Sequence, residues 1–279
     1  MGQYEYSDLK TTATDMQSED SRHPIPVDLV GIRGVKYPLK LRTEGGRINY
    51  ATAELDMSVS LPAHVKGTHM SRFLQVLNEE AQYELDTSQL KEVTRKIQRR
   101  LEASDARMTL SFIFFLKKPA PHSAIKGFMD YKVTFDTFAR GDEVNSIMEV
   151  VIPCTTVCPC SKEISDFGAH NQRSRVTVAI ESQPVVWIEE IIAMAETAAS
   201  APVYSVLKRE DEKMVTEQAY NNPKFVEDLV RELAHSLASD ERTEWFKIDV
   251  QNHESIHNHD AFATITWERE TNGTSAGTK

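Results

Sequence analysis

All three cysteines of this 279-residue chain fall within one short segment, as Cys154, Cys158 and Cys160. His170 follows soon after, in the segment Gly-Ala-His170-Asn-Gln-Arg-Ser. Thiolates bind borderline-soft metals such as zinc, and a nearby imidazole can complete the set of ligands. The spacing therefore predicts metal chemistry, with a second thiol left available as a nucleophile or proton donor.

Pro159 separates Cys158 from Cys160. On a strand, residues two apart face the same side, so both sulfurs could bind one metal. Proline removes a ladder donor and fixes its own φ, which favours a turn or strand end where the sulfurs diverge. We therefore expect one sulfur on the metal and the other beside it, because catalytic zinc sites keep a position open for water. Cys154 ends an apolar run and is expected to be a buried core residue.

Composition limits the class of protein. The formal net charge of −10 argues against nonspecific binding to nucleic acid or to an anionic membrane. No apolar run reaches the ~20 residues needed to cross a bilayer, and the polar first twenty residues do not form a signal peptide. Three clustered cysteines do not make a disulfide framework. We expect a cytoplasmic protein with no nucleic-acid or membrane partner.

Hydrophobic periodicity predicts the elements that position these residues. Strand patterns cover 27–41, 49–61, 108–116, 125–138, 144–152, 175–180, 245–250 and 261–267. Helical patterns cover 71–77, 90–101, 187–195 and 225–237, with Pro202 expected to break or kink the third and Asn222-Pro223 to begin the fourth. Both halves of the chain thus have the order strand, strand, helix, helix, strand, strand.

This order predicts an α+β fold, in which antiparallel sheets are covered on one face by helical pairs. We divide the chain into a first unit at 25–140 and a second unit, carrying the metal site, at 141–269. The ends, 1–24 and 270–279, have too little apolar surface to order themselves and are predicted to be disordered. Open sheet edges are often paired around a ring of subunits, so we expect a barrel-like homo-oligomer.

Four segments together resemble a known family, the prokaryotic type IB GTP cyclohydrolase I, over roughly residues 25–268. They are Cys158-Pro-Cys160-Ser-Lys, Gly168-Ala-His170-Asn-Gln-Arg-Ser, Gly67-Thr-His69-Met-Ser-Arg72-Phe and His253-Glu-Ser-Ile-His257-Asn-His259-Asp. The resemblance implies two tandem tunnelling folds per chain and a homotetramer with sites at subunit interfaces. The implied reaction converts GTP and water to 7,8-dihydroneopterin triphosphate and formate, which serves folate synthesis and 7-deazaguanine modification of tRNA.

The resemblance also implies one divalent metal per site and no organic cofactor. Its ligands would be Cys158, His170 and Glu212, a donor set that accepts zinc, manganese or iron. Without the family, Glu212 would be interpreted as solvated surface charge. Cys160 is implied as a catalytic group near C8 of the guanine, with a role as fourth metal ligand as the alternative.

Later steps of such a reaction need acids and bases. Glu254, His257 and His259 are implied for these roles, in a predicted loop between the last two strands; a pair of surface histidines is the alternative. Glu227 is implied as the anchor of the guanine, because one carboxylate can accept hydrogen bonds from N1 and the 2-amino group. Its alternative is an ordinary exposed carboxylate in the first turn of a helix.

The triphosphate requires local cations in an acidic chain. The candidates are His69, Arg72, Lys162, Arg173 and Arg175. Each could instead be solvated or paired with an acid.

Two other functions stay open from the sequence. The same fold class includes a nitrile-reducing enzyme of 7-deazaguanine synthesis, which uses a cysteine and a nicotinamide cofactor and needs no metal. The chain could also be a non-catalytic oligomer with structural zinc and a purine pocket. Metal dependence would argue against the first, and closed four-ligand coordination would favour the second.

Overall fold

The computed structural model describes residues 17, 20–80 and 87–270. The strands in this part of the chain are β1 Val27–Arg42, β2 Ile48–Leu61, β3 Asp105–Pro119, β4 Lys126–Arg140, β5 Glu143–Val157, β6 Asn171–Ser182, β7 Ala201–Pro202, β8 Thr243–His253 and β9 Ala261–Glu268. The α-helices are α1 Met70–Glu80, α2 Thr87–Arg100, α3 Pro159–Ile164, α4 Ile188–Ala198, α5 Arg209–Asn221 and α6 Val226–Ser239.

Within the described residues, nine strands form one sheet in the order β1-β2-β3-β4-β5-β6-β8-β9, and the short β7 pairs with β5. All of these pairings are antiparallel. The sheet continues through the middle of the chain, because β4 and β5 pair from Arg140 and Glu143 to Lys132 and Val151. The predicted α+β class and antiparallel sheet are confirmed. The division into units at 25–140 and 141–269 stays a prediction.

The hydrophobic core lies between one face of the sheet and the helices. Alternation places Leu55 and Met57 of β2 at 0% and 1% exposure, facing the helical layer. Phe73 of α1, Ile191 of α4 and Leu233 of α6 are fully buried against this face. Burying one such side chain stabilises the fold by about 1.5–3 kcal/mol. The opposite face of the sheet carries the alternate, mostly polar positions.

The segment before α6 differs from the prediction. The charged run 208–213 begins a helix, α5, that the sequence interpretation missed. Asn222 ends α5 rather than starting the next helix, because its backbone N–H donates to Gln218 and Ala219, and its side chain donates to Ala199 O at 3.0 Å. The next helix begins only at Val226. The proposed cap at Asn222-Pro223 is therefore wrong.

The predicted disordered ends fall mostly outside the described residues. Where the amino-terminal stretch is described, it contacts the loop after β2: Gln17 O accepts from Gly67 N at 3.1 Å, and Ser21 N donates to His64 O at 2.9 Å. None of the helices in the described ranges has the length and apolar composition needed to span a bilayer.

Candidate functional site

Cys158 and His170 lie together where β5 ends and β6 begins. The last register pair of these strands joins Val157 to Asn171, and the Cys158 amide donates to His170 O at 3.1 Å just beyond it. Ser161 links the same two residues, because its hydroxyl accepts from the His170 amide at 3.2 Å and its own amide donates to Cys158 Sγ at 3.4 Å. The sequence analysis did not single out Ser161, although it belongs to the quoted cysteine motif.

The two neighbouring cysteines differ in exposure. Cys158 is the N-cap of α3 and is partly buried, Pro159 occupies the first helical position, and Cys160 is exposed. Proline suits this position because the first helical amide lacks an intrahelical acceptor. Cys154 is fully buried, its Sγ lies 3.8 Å from Ala195 O, and burial raises the pKa of its thiol to about 12. Cys154 is thus a core residue, as expected.

The loop 254–260 joins β8 to β9, as the sequence predicted, and its first residues contact His170. His170 Nδ1 lies 3.4 Å from Ser255 Oγ and 4.0 Å from Glu254 Oε2, and the side chains of His170 and Glu254 are each 12% exposed. A metal-binding histidine commonly directs its second ring nitrogen to such a carboxylate or hydroxyl. Because Nδ1 of His170 faces these two groups, Nε2 would be the ring nitrogen available to bind a metal.

His257 and His259 complete this cluster of imidazoles. The ring of His257 lies edge-on to that of His170 with centroids 6.5 Å apart, and it stacks on His259 at 5.2 Å. Both histidines are exposed. The arrangement brings three imidazoles and the Glu254 carboxylate to one end of the sheet, where acid–base chemistry is possible.

A chain of buried polar groups crosses three strands beneath the cluster. Ser174 Oγ donates to Asn252 Oδ1 at 2.7 Å and contacts Thr156 Oγ1 at 2.9 Å. Gln172, on the same face of β6, is 6% exposed, and its Oε1 has no hydrogen-bond partner among the described residues. An unsatisfied buried acceptor costs about 1–3 kcal/mol.

Glu212 lies on α5, one residue after a carboxylate that the sequence analysis missed. Asp211 is fully buried and accepts hydrogen bonds at 2.6–2.9 Å from Ser123 Oγ and from the amides of His122, Ser123 and Lys208. Burial alone would raise the pKa of Asp211, but these donors hold it well below its usual range. They also join the start of α5 to the β3–β4 turn. Glu212 itself is exposed.

The other end of α5 contacts the cysteine segment. Lys162 Nζ donates to Tyr220 O at 2.6 Å and lies 4.3 Å from the centroid of the Tyr220 ring. Tyr220 and Glu212 are eight residues apart and share one side of the helix. The contact joins the end of α5 to α3, whereas Glu212 lies two turns earlier on the helix.

Glu227 lies in the first turn of α6 and is exposed. The segment before this helix is joined to the end of β5, because Lys224 N donates to Val157 O at 3.0 Å. Glu227 therefore belongs to the same end of the sheet as Cys158.

The proposed phosphate-binding residues fall into two groups. Arg173 and Arg175 lie on the open face of β6, opposite His253 and Gln251 of β8, and Arg175 Nη2 donates to Gln251 Oε1 at 2.7 Å. They lie close to the loop 254–260, and Lys162 lies on α3.

His69 and Arg72 form the second group and follow the end of β2. Strand registers align that end with the start of β5, through the pairs Val59–Ala106, Ala106–Ala139 and Ala139–Val144. Cys158 follows the opposite end of β5, which has 15 residues and so spans roughly 45 Å. One chain therefore does not bring His69 and Arg72 to Cys158.

The donors present fit a metal in their chemistry. Cys158 and His170 supply a thiol and an imidazole, and Glu254 and Ser255 orient the imidazole. In the described part of the chain, however, no three His, Cys, Asp or Glu side chains form a group that could hold a metal ion. Glu212 is thus not assembled with the other two, and the full ligand set stays a prediction.

A cavity of about 530 Å³ opens elsewhere in the molecule, between α2 and α4. Its lining includes Phe135, Met148 and Trp187. Met148 lies nine positions before Val157 on β5, which is about 30 Å along the strand. The cavity is therefore not part of the site at Cys158.

Comparison with solved structures supports the fold. The uricase from Arthrobacter globiformis superposes with a TM-score of 0.54 over 90% of this chain and 96% of that one, at 9% identity. Urate oxidase from Bacillus sp. TB-90 gives a TM-score of 0.54 over 87% and 100%, at 10% identity. Identities this low show the fold alone.

Sequence comparison is more specific. A protein of Nitrosococcus oceani named GTP cyclohydrolase FolE2 is 43% identical over 255 residues, covering 91% of this chain and 95% of the relative. One of Desulfosudis oleivorans with the same name is 46% identical over 256 residues, covering 91% and 98%. The family model described as Type I GTP cyclohydrolase folE2 matches residues 13–263. The chain belongs to the type I GTP cyclohydrolase folE2 family.

Proposed function

We propose that this protein is a GTP cyclohydrolase I, which opens the imidazole ring of GTP hydrolytically and releases 7,8-dihydroneopterin triphosphate and formate. The observation that carries the proposal is the family match over residues 13–263. The geometry agrees with it, because Cys158, His170, Glu254 and His257 come together from separate elements. The product would enter tetrahydrofolate synthesis and 7-deazaguanine modification of tRNA.

The chemistry begins at C8 of the guanine. A divalent zinc, manganese or iron ion held by Cys158, His170 and Glu212 would lower the pKa of bound water and supply the nucleophile. Glu254 and Ser255 fix the orientation of His170 through Nδ1. Cys160, which is exposed and lies two residues after Cys158, would donate a proton as the ring opens.

Later proton transfers fall to the loop residues. His257 and His259 lie beside His170 and are exposed to an incoming ligand. Imidazoles titrate near neutrality, so they can donate and accept protons during formate release and ring closure. Glu227 would hold the guanine edge and reject adenine, which lacks the matching donors.

We propose that the protein is a type IB enzyme with two tunnelling folds in each chain. Four chains would form a homotetramer, with the active sites between subunits. Its support is the separation of His69 and Arg72 from Cys158 within one chain, since a second copy can supply them. Lys162, Arg173 and Arg175 would join them around the triphosphate. We place the enzyme in the cytoplasm, where clustered free thiols persist.

The test is turnover by metal-stripped protein, with and without added zinc or manganese. We expect formate and the fluorescent oxidised pterin to appear together, and only with metal. Folded, metal-loaded protein that releases neither product from GTP would refute the proposal.

A further inference from the structure

The loop 254–260 carries three proposed acid–base groups but has little backbone support. Within the described ranges, its residues make no backbone–backbone hydrogen bond outside the strand ladder. Ladder pairing stops at Asn252 and Ala261. The position of the loop must therefore come from side chains at its two ends.

One end is held over the site. Glu254 and Ser255, the first loop residues, contact His170 Nδ1 at 4.0 and 3.4 Å. This contact fixes only the beginning of the loop. His257 and His259 come later and need a second attachment to keep a defined distance from His170.

Four side chains, which we call the clamp, provide that attachment: Arg175, Gln251, His253 and Asp260. Asp260 Oδ2 accepts from Gln251 Nε2 at 2.7 Å and lies 3.1 Å from His253 Nδ1. Gln251 Oε1 accepts in turn from Arg175 Nη2 at 2.7 Å. An ionised carboxylate can only accept, so this contact favours the tautomer of His253 with its proton on Nδ1. The clamp thus joins β6, β8 and the last loop residue across the base of the loop.

We propose that Asp260 is a positioning residue, which acts through the clamp to hold His257 and His259 beside His170. The inference rests on the proposed function, because the loop matters through the groups it carries. Asp260 does not contact His170 itself in the described structure, and its effect is on geometry. A displacement of about 1 Å in a catalytic group can cost about 100-fold in rate.

The primary test is Asp260→Ala in the full-length oligomer. We expect kcat for formate release to fall by about 10- to 100-fold, while KM for GTP changes by less than about threefold and metal content matches the wild type. Asp260→Asn should recover part of the loss, because its amide oxygen can still accept from Gln251.

Asp249→Ala is a matched control on the same hairpin. Asp249 Oδ2 accepts from Thr264 Oγ1 at 2.7 Å, a cross-strand contact between β8 and β9 that lies farther from the loop. This variant loses a comparable hydrogen bond but should keep wild-type kcat. Equal losses in the two variants would show a general effect on the hairpin and overturn the inference.

Ring nitrogen shifts of ¹⁵N-histidine-labelled protein give a second readout that does not depend on activity. We expect His253 to show a protonated Nδ1 in the wild type, and Asp260→Ala to lose that signature and shift the His257 ring signals. If the wild type turns GTP over and Asp260→Ala does so equally well, the clamp inference is wrong. If the wild type has no GTP activity, the proposed function fails instead.

Discussion

At the scale of single residues, the two neighbouring cysteines are separated by their local backbone. Cys158 is held at the start of α3 beside His170, whereas Cys160 is exposed on that helix. Pro159, at the first position of this six-residue helix, places Cys158 at the cap and Cys160 within the first turn. The roles proposed for them, metal ligand for Cys158 and proton donor for Cys160, can be separated experimentally.

We predict that Cys158→Ala loses bound metal and activity together. Cys160→Ala should keep its metal and lose turnover by at least about 100-fold, the lower range for an acid–base group. Elemental analysis and formate release on the same samples measure both effects. An empty site in Cys160→Ala would make Cys160 a fourth ligand and contradict the division proposed here.

Glu227 is predicted to recognise the guanine without contributing to metal binding. Removing it in Glu227→Ala should weaken GTP binding by about 10-fold or more, since a hydrogen bond to a charged group contributes about 1.5–3 kcal/mol. Calorimetric titration with GTP measures the affinity. An unchanged titration curve would contradict the anchor assignment. Glu241→Ala removes an exposed carboxylate two residues after the end of the same helix and serves as the control.

At the scale of elements, α5 depends on one buried carboxylate. Asp211 ties the first turn of the helix to the β3–β4 turn through donors from Ser123, His122 and Lys208. Glu212 follows it directly on the helix. The hydrogen bonds of Asp211 therefore fix the start of the helix that carries a proposed metal ligand.

Asp211→Asn should destabilise the fold at neutral pH. The carboxylate of Asp211 accepts hydrogen bonds from four donors, and the amide nitrogen of asparagine, itself a donor, could not replace one of its oxygens. The pKa of Asp211 is lowered in the folded state, so its contribution is complete above the unfolded pKa of about 3.9. It is lost progressively as the pH falls below that value and through the lowered pKa of the folded state. Urea unfolding of wild type and Asp211→Asn should give midpoints that differ more at pH 7 than at pH 3. A difference that does not depend on pH would contradict this account.

At the scale of the whole molecule, the continuous sheet separates two sets of proposed site residues. Cys158, His170 and the loop 254–260 lie at one end, while His69 and Arg72 follow the end of β2 at the other. The length of the strands keeps the two sets of residues apart within one chain. A site that uses both sets must therefore combine residues from two copies of the chain.

Two inactive variants should therefore restore activity when mixed. His69→Ala and Cys158→Ala are each expected to be inactive alone, but mixed oligomers contain some sites with both residues intact. If equal amounts of the two variants assemble at random, about a quarter of the wild-type activity should be recovered. Activity is measured after exchange of subunits between differently tagged chains has been verified. Mixed oligomers without activity would mean that His69 and Cys158 do not serve one site.

The sequence by itself determined most of the local structure and the chemistry of the motifs. Period-2 and period-3.6 patterns predicted the long strands and the apolar helices, because each buries one face. Cys158, His170 and the histidine-rich loop were recognisable because few other functions need these residue types at this spacing. Helix α5 was missed because its burial depends mainly on Asp211, Ala219 and Val215, too few apolar positions to give a clear stripe.

Tertiary structure decided which distant residues meet. Strand register brought Arg173 and Arg175 opposite His253 and Gln251, and it set His69 apart from Cys158. Three of the four donors to Asp211 come from residues 122 and 123, far away in the chain, and Arg175 joins the clamp from β6. Local sequence patterns describe which face of an element is apolar, whereas contacts between polar groups depend on how whole elements pack and pair. That is why the motifs could be found in the sequence and their supporting residues only in the fold.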